Sequence, residues 1–316
     1  MGTSATTMME VRTTVGTGPK VARDVRRRER KGGAKSKRKI GEVGKARCAP
    51  RDDDVLPDSL EGAIQQAAEA VGTAVRAGSG RATAEILLPE LWDPISGALM
   101  ADEGDQQKFW EITRYFAELL VRELHVRARV LYPDMGCAAM LKNAWPDAGF
   151  EIGCLADRNP VQDTDEIVLI AAPDPQGLED AKRITNLAEG VPVVLFNPRL
   201  VSGDVGIGLN VRRMRANFLK TFVVAYSLRP VGAGSVFRKY PGNWQVFVEE
   251  TDLPGRYRKV YDSPLRPQGE RLDAILEEAM EDESPPDEQA GGGTSVLNNL
   301  GKTLASMQRF MRSLSQ

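Results

Sequence analysis

Histidine and cysteine are scarce in this sequence of 316 residues, which contains one of the first and three of the second. The histidine, His125, stands near the end of a predicted helix, where we expect it to cap the helix or contact the core rather than to organise a zinc site or a Ser-His-Asp triad. The cysteines, Cys48, Cys137 and Cys154, show no Cys-x-x-Cys spacing, and the last two lie in apolar surroundings. The prediction is reduced, buried thiols, with no metal and no cofactor.

Long apolar runs are missing as well. No run approaches the roughly 18 residues that cross a bilayer, so any membrane contact is expected to be peripheral. Residues 1–51 lack aromatic side chains and carry 15 Lys and Arg against 4 Asp and Glu. This composition predicts a disordered leader over residues 1–54, of the organelle transit-peptide type. A regulator that binds RNA through the basic leader is the alternative, although the leader offers no ring on which a base could stack.

Four apolar runs in the middle of the chain each stop at a proline next to a polar residue. The runs are short and β-branched, which predicts strands buried on both faces, and the helical patterns between them favour a parallel sheet. A binding crevice is expected where the carboxyl ends of such strands meet. Five polar residues that follow the runs should therefore gather along one rim as a candidate binding site: Glu90, Asp134, Asp174, Asn197 and Arg199.

The rest of residues 55–283 is predicted to complete one α/β domain. Its first helix is expected to begin at Asp58 as the N-cap, with Glu61 three positions on. Alternating segments around two Pro-Gly turns near residues 241 and 254 predict antiparallel pairs. The expected fold is a doubly wound, mostly parallel sheet with an antiparallel edge or small meander near its C-terminal end. In the helix after residue 134, one side is expected to be buried, with Cys137, Met140, Leu141 and Trp145.

No segment of the sequence matches a catalytic motif in full. Gly203, Gly206 and Gly208 form GxxGxG, which departs from the GxGxxG dinucleotide fingerprint and favours a flexible loop. Gly301-Lys302-Thr303 resembles the end of a P-loop, but Val296 stands where the first glycine is required. The acids of the rim could serve as general bases, yet an acid beside a proline also simply ends a strand. No catalytic residue is assigned, and the alternative function is an enzyme or nucleotide-binding protein that uses the rim.

The end of the chain carries a different pattern. An acidic and glycine-rich linker is predicted at residues 284–294, followed by a tethered amphipathic helix at residues 295–316. No acid follows Glu288, whereas Lys302, Arg309 and Arg312 are basic. Such a helix can lie on an anionic membrane or dock on a partner, and the alternative is that it folds back onto its own sheet. Its apolar stripe includes Leu297, Leu300, Leu304, Met307, Met311 and Leu314.

The order of several proline-containing segments resembles a domain of unknown function in plastid and cyanobacterial proteins, a family that includes the low photosystem II accumulation type of assembly factor. The resemblance covers about residues 55–283 and rests on order and spacing. The segments are Leu56-Pro57-Asp58-Ser59, Leu88-Pro89-Glu90, Tyr132-Pro133-Asp134, Pro173-Asp174, Asn197-Pro198, Tyr240-Pro241-Gly242 with Trp244, and Arg266-Pro267.

This resemblance implies a chloroplast protein that helps to assemble or stabilise a photosystem, and it transfers no catalytic residue. The expected location is the stroma or the stromal face of the thylakoid membrane, with a chloroplast transit peptide at the start of the chain. The expected partners are photosystem subunits or other assembly factors, with peripheral thylakoid contact and no nucleic acid. We expect the protein to act by binding rather than by catalysis.

Overall fold

A computed structural model describes residues 55–88, 103–200, 214, 216–232 and 234–281. Glu90 and the predicted leader, linker and tail helix lie outside these ranges. The described residues form five α-helices and nine β-strands. In chain order these are α1 (Leu60–Arg76), β1 (Arg81–Ile86), α2 (Glu103–Leu124), β2 (Ala128–Tyr132), α3 (Met135–Ala144), β3 (Glu151–Cys154), β4 (Ile167–Ala171), α4 (Leu178–Leu187), β5 (Val193–Phe196), β6 (Val223–Val231), β7 (Gly234–Lys239), β8 (Trp244–Glu249), β9 (Tyr257–Ser263) and α5 (Glu270–Glu281).

All nine of these strands belong to one sheet, in the order β3-β2-β4-β5-β1-β6-β7-β8-β9. Neighbours from β3 to β6 are parallel, and neighbours from β6 to β9 are antiparallel. The predicted mostly parallel sheet with an antiparallel edge is therefore confirmed. Strands β4 and β5 are buried at every position, because apolar side chains emerge on both faces and helices cover both.

Helices α1, α2 and α3 pack on one face of the sheet. The ring of Phe116 from α2 stacks on Phe196 of β5, with a centroid distance of 4.3 Å. Helix α4 packs on the opposite face through Ala181 and Ile184. Helix α5 covers the antiparallel strands, where Leu272 contacts the cluster around Trp244. Helices on both faces are what the expected doubly wound arrangement requires. None of the described helices is long and apolar enough to cross a membrane.

Two local predictions were wrong. Helix α1 is capped by Ser59, whose Oγ accepts a hydrogen bond from the Gly62 N–H at 3.1 Å, while Asp58 accepts from the Ser59 hydroxyl. Adjacent Asp and Ser are both good caps, so the entry angle of the chain decides between them. In α3, Leu141 is buried as predicted, but Met140 is 54% exposed because only one narrow side of this edge helix meets the sheet.

Candidate functional site: the carboxyl-end rim

The rim lies where the chain changes direction across the sheet. Strands β2 and β4 are parallel neighbours. From β2 the chain passes through α3 outward to β3, whereas from β4 it passes through α4 inward to β5. The two helices lie on opposite faces. Loops that diverge in this way open a crevice between adjacent strand ends, which is where open α/β sheets usually bind their ligands.

Asp134 follows β2 at this part of the rim. Its backbone is extended, and its Oδ1 accepts a hydrogen bond from the Cys137 N–H at 2.8 Å, which makes it the N-cap of α3. One of the four N–H groups that a helix start leaves unsatisfied is thereby paired. The predicted rim carboxylate is present at the strand end, and it holds the start of the helix.

Asp174 occupies the corresponding place after β4. Its Oδ1 accepts from the Gly177 N–H at 2.8 Å, just before α4 begins. Burial lowers the pKa of the nearby Arg199 guanidinium, and the negative charge of Asp174 opposes that shift. The Arg199 N–H also donates to the Pro173 carbonyl at 2.8 Å. The structure therefore brings Asp174 and Arg199 together, as the strand-end pattern predicted.

Asn197 connects β5 to β1 beneath the rim. It is 2% exposed, and its Oδ1 accepts from the Ile86 N–H at 2.6 Å. Its own N–H donates to the Ala84 carbonyl at 2.8 Å. The side chain thus replaces the missing strand partner at the point where β5 turns away. This predicted rim residue lies at the expected place, but its amide oxygen is committed to the backbone.

The structure adds residues to the rim that the sequence did not indicate. Asp157, after β3, accepts from the Cys154 N–H at 2.9 Å and from its thiol at 3.4 Å. Arg183 of α4 donates to the carbonyl oxygens of Leu155 and Asp157 at 2.8 and 3.1 Å, which ties the loop after β3 to the opposite face. A single polar residue three positions beyond a short strand carries no recognisable signal, so tertiary contacts alone reveal this group.

The thiols near the rim are protonated at neutral pH. Burial raises the pKa of the Cys137 thiol to about 12, and the charge of Asp134 acts in the same direction. A helix N-terminus often lowers the pKa of a thiol, but here burial outweighs that effect. Burial and the hydrogen bond to Asp157 likewise raise the pKa of Cys154. Both thiols are free of disulfides, as predicted; Cys154 is buried and Cys137 is half-buried.

Two open depressions lined by described residues lie opposite the rim, toward the amino ends of the strands. One of about 570 Å³ is formed by Gly78 to Arg81, where β1 begins, and by residues 188–193, where β5 begins. The other, of about 560 Å³, includes Arg114, Asp147 and His125. His125 is exposed and ends α2 with a φ of 56°, so it stops the helix rather than contacting the core. No cluster of three or more His, Cys, Asp or Glu suited to a metal occurs in the described ranges.

The sequence from residue 57 to residue 274 matches the family described as a domain of unknown function, DUF1995. The matched range runs from two residues before the α1 cap Ser59 into α5, so it contains the whole described sheet. No curated protein and no solved structure matches the chain.

Proposed function

This chain belongs to the DUF1995 family, and on that premise we propose that it is an auxiliary factor that assembles or stabilises a photosystem in the chloroplast. It acts by binding proteins at the stromal face of the thylakoid membrane. The biological setting is supported by the resemblance to plastid and cyanobacterial proteins that include the low photosystem II accumulation type of assembly factor. The mode of action is supported by the chemistry of the rim.

The observation that carries this mode of action is the commitment of the rim side chains to backbone groups. Asp134 and Asp174 each accept a backbone N–H at the start of a helix, and Asn197 accepts the N–H of Ile86. Each of these bonds fixes one carboxylate oxygen of an aspartate in place, and a nucleophilic cysteine must be a thiolate, which the burial of Cys137 disfavours. Side chains that hold strand ends in fixed positions instead build a rigid surface, which favours binding.

An apolar surface adjoins this rim on α3. The side chains of Met135 and Met140 are 66% and 54% exposed, and Met135 directly follows the cap Asp134. Methionine side chains are flexible and polarisable, so they adapt to the surface of a protein partner. We assign the contact with photosystem subunits or other assembly factors to this α3 surface, defined by Met135, Ala139 and Met140, together with the rim.

The test is affinity capture from detergent-solubilised thylakoids with the full chain as bait. The wild-type chain is expected to recover photosystem subunits, and the double variant Met135→Asp, Met140→Asp is expected to recover at least about tenfold less, because two charges would be buried in the contact. The matched control is Leu187→Asp, since Leu187 is 55% exposed but lies at the end of α4, away from the rim.

Equal recovery by the double variant and the control would remove the α3 surface from the proposal. Absence of photosystem subunits from the wild-type capture would overturn the proposed function itself. A thermal shift with a nucleotide, abolished by substitutions at the rim, would instead favour the enzyme or nucleotide-binding alternative.

A further inference from the structure

Four side chains form a row across the sheet on the face that α5 shares with α4. Glu85 of β1 pairs with Ser227 of β6, Ser227 pairs with Arg238 of β7, and Arg238 pairs with Trp244 of β8. Residues paired directly across strands point to the same side. The alternating neighbours Tyr226 and Phe237 belong to the core on the other face. The row therefore combines a carboxylate, a hydroxyl, a guanidinium and an indole.

Arg266, from the segment after β9, lies across this row. Its Cζ is 4.9 Å from the centroid of the Trp244 ring, and its Nη2 is 3.7 Å from Oε2 of Glu85. The Cζ of Arg238 is 5.3 Å from the same ring. Glu85 also accepts the Ser227 hydroxyl at 3.3 Å. Trp244 itself is 3% exposed, and both guanidinium groups lie over its ring.

Positive charge exceeds negative charge in this cluster, which holds two guanidinium groups and one carboxylate. Glu85 contacts Arg266, whereas the contact seen for Arg238 is the face of the indole. Nε of Arg238 is buried and meets no hydrogen-bond acceptor within the described part of the chain. Burial lowers the pKa of this guanidinium. A buried N–H donor on a cation is costly unless an acceptor satisfies it.

We propose that Arg238, Arg266 and Trp244 form a binding site for an oxyanion, the phosphate or carboxylate group of a small ligand. A planar guanidinium presents paired N–H donors that match either group. Trp244 is covered, so it holds the arginines in place rather than stacking on a ligand ring. Arg238 and Arg266 are both partly exposed, which leaves their outer donors open to solvent. The site adjoins the rim, since Glu85 precedes Ile86, whose N–H binds Asn197. The proposal does not depend on the proposed function.

The test uses the indole N–H signals of the full chain in NMR. The chain has four tryptophans, and the Trp244 signal is assigned with Trp244→Phe. Inorganic phosphate and, separately, acetate are titrated at constant ionic strength. A saturable shift confined to the Trp244 signal is expected with at least one of them, and the comparison of the two shows which oxyanion fits. The local signal separates this site from weak binding of phosphate to the basic residues 1–51.

Arg238→Gln is expected to weaken the apparent affinity at least about tenfold, because it removes a charged donor pair. Arg238→Lys keeps the charge and loses the planar fork, so its affinity should lie between those of the wild type and Arg238→Gln. Binding by this variant also confirms that the fold survives a substitution at residue 238. Arg271→Gln is the control, since Arg271 stacks on Tyr261 outside the row. A Trp244 signal that stays unmoved by both anions, or that shifts equally in Arg238→Gln and Arg271→Gln, would overturn the proposal.

Discussion

At the scale of single residues, the most unusual positions are those directly after β4 and β5. Ala172 and Asn197 have φ values of 43° and 47°, and each precedes a proline. Left-handed backbone is tolerated by asparagine and disfavoured for alanine, so other contacts must stabilise these turns. Both turns are sharp, and they bring the segments after β4 and β5 together. The backbone N–H of Arg199 then donates a hydrogen bond to the carbonyl oxygen of Pro173.

Substitution of Asn197 tests this account. Asn197→Ala removes the acceptor of the buried Ile86 N–H and leaves an alanine in left-handed backbone, so the free energy of unfolding should fall by about 2–4 kcal/mol. Asn197→Gly loses the same hydrogen bond without the steric penalty, so it should be more stable than the alanine variant by about 1 kcal/mol. Urea unfolding of the three proteins measures both differences. An alanine variant as stable as the wild type would contradict the role given to the amide.

At the scale of elements, the antiparallel edge depends on a close approach between β7 and β8. Gly234 pairs with Val248, and a Cβ at Gly234 would collide with the carbonyl oxygen of Phe247. Backbone cannot move away as a side chain can, so only glycine fits here. This contact sets the register that aligns Arg238 with Trp244, four residues further along β7.

Gly234→Ala should therefore lower the free energy of unfolding by about 1–3 kcal/mol and speed amide exchange in β7 and β8, because the two strands must separate to make room. Hydrogen exchange followed by mass spectrometry, together with urea unfolding, provides the measurement. Gly80→Ala is the matched control: no atom lies within 4 Å of its added Cβ, so its stability should change by less than about 1 kcal/mol. Equal losses in the two variants would show that the β7–β8 contact is not the cause.

At the scale of the whole molecule, the described domain and the C-terminal sequence pattern are expected to be separable. The family match ends at residue 274, and α5 ends at Glu281. The apolar stripe of residues 297–314 lies beyond both, on the far side of the predicted linker. A tethered amphipathic segment with three basic residues gains binding energy on an anionic membrane from apolar burial and, more weakly, from charge.

Deletion of residues 294–316 should release the protein from thylakoid membranes into the soluble fraction while the melting temperature changes by less than about 2 °C. Fractionation and thermal unfolding measure the two effects. Leu300→Asp with Leu304→Asp should reproduce most of the release, whereas Lys302→Gln should do little because one surface charge contributes less than two buried leucines. A truncated chain that remains on thylakoids yet melts much lower would show that the tail helix packs on the domain.

Local periodicity was sufficient to predict the elements. Buried strands such as β4 and β5 are continuous apolar runs, and their alternation with helices predicts a parallel sheet. The turn at Pro241 to Asn243 likewise predicted the antiparallel pair β7 and β8. The same strand ends located Asp134, Asp174, Asn197 and Arg199 at one edge, because parallel strands all finish on the same side.

Only long-range packing decided the order of the strands in the sheet and the register between distant strands. Strand β1 sits between β5 and β6, and the row from Glu85 to Trp244 joins strands separated by more than a hundred residues of chain. Periods of 2 and 3.6 residues describe one element and its buried side, and they contain no information about a distant neighbour's register. For the same reason the sequence determined that α3 has an apolar side, whereas only contact with the sheet edge decided that Leu141 is buried and Met140 faces solvent.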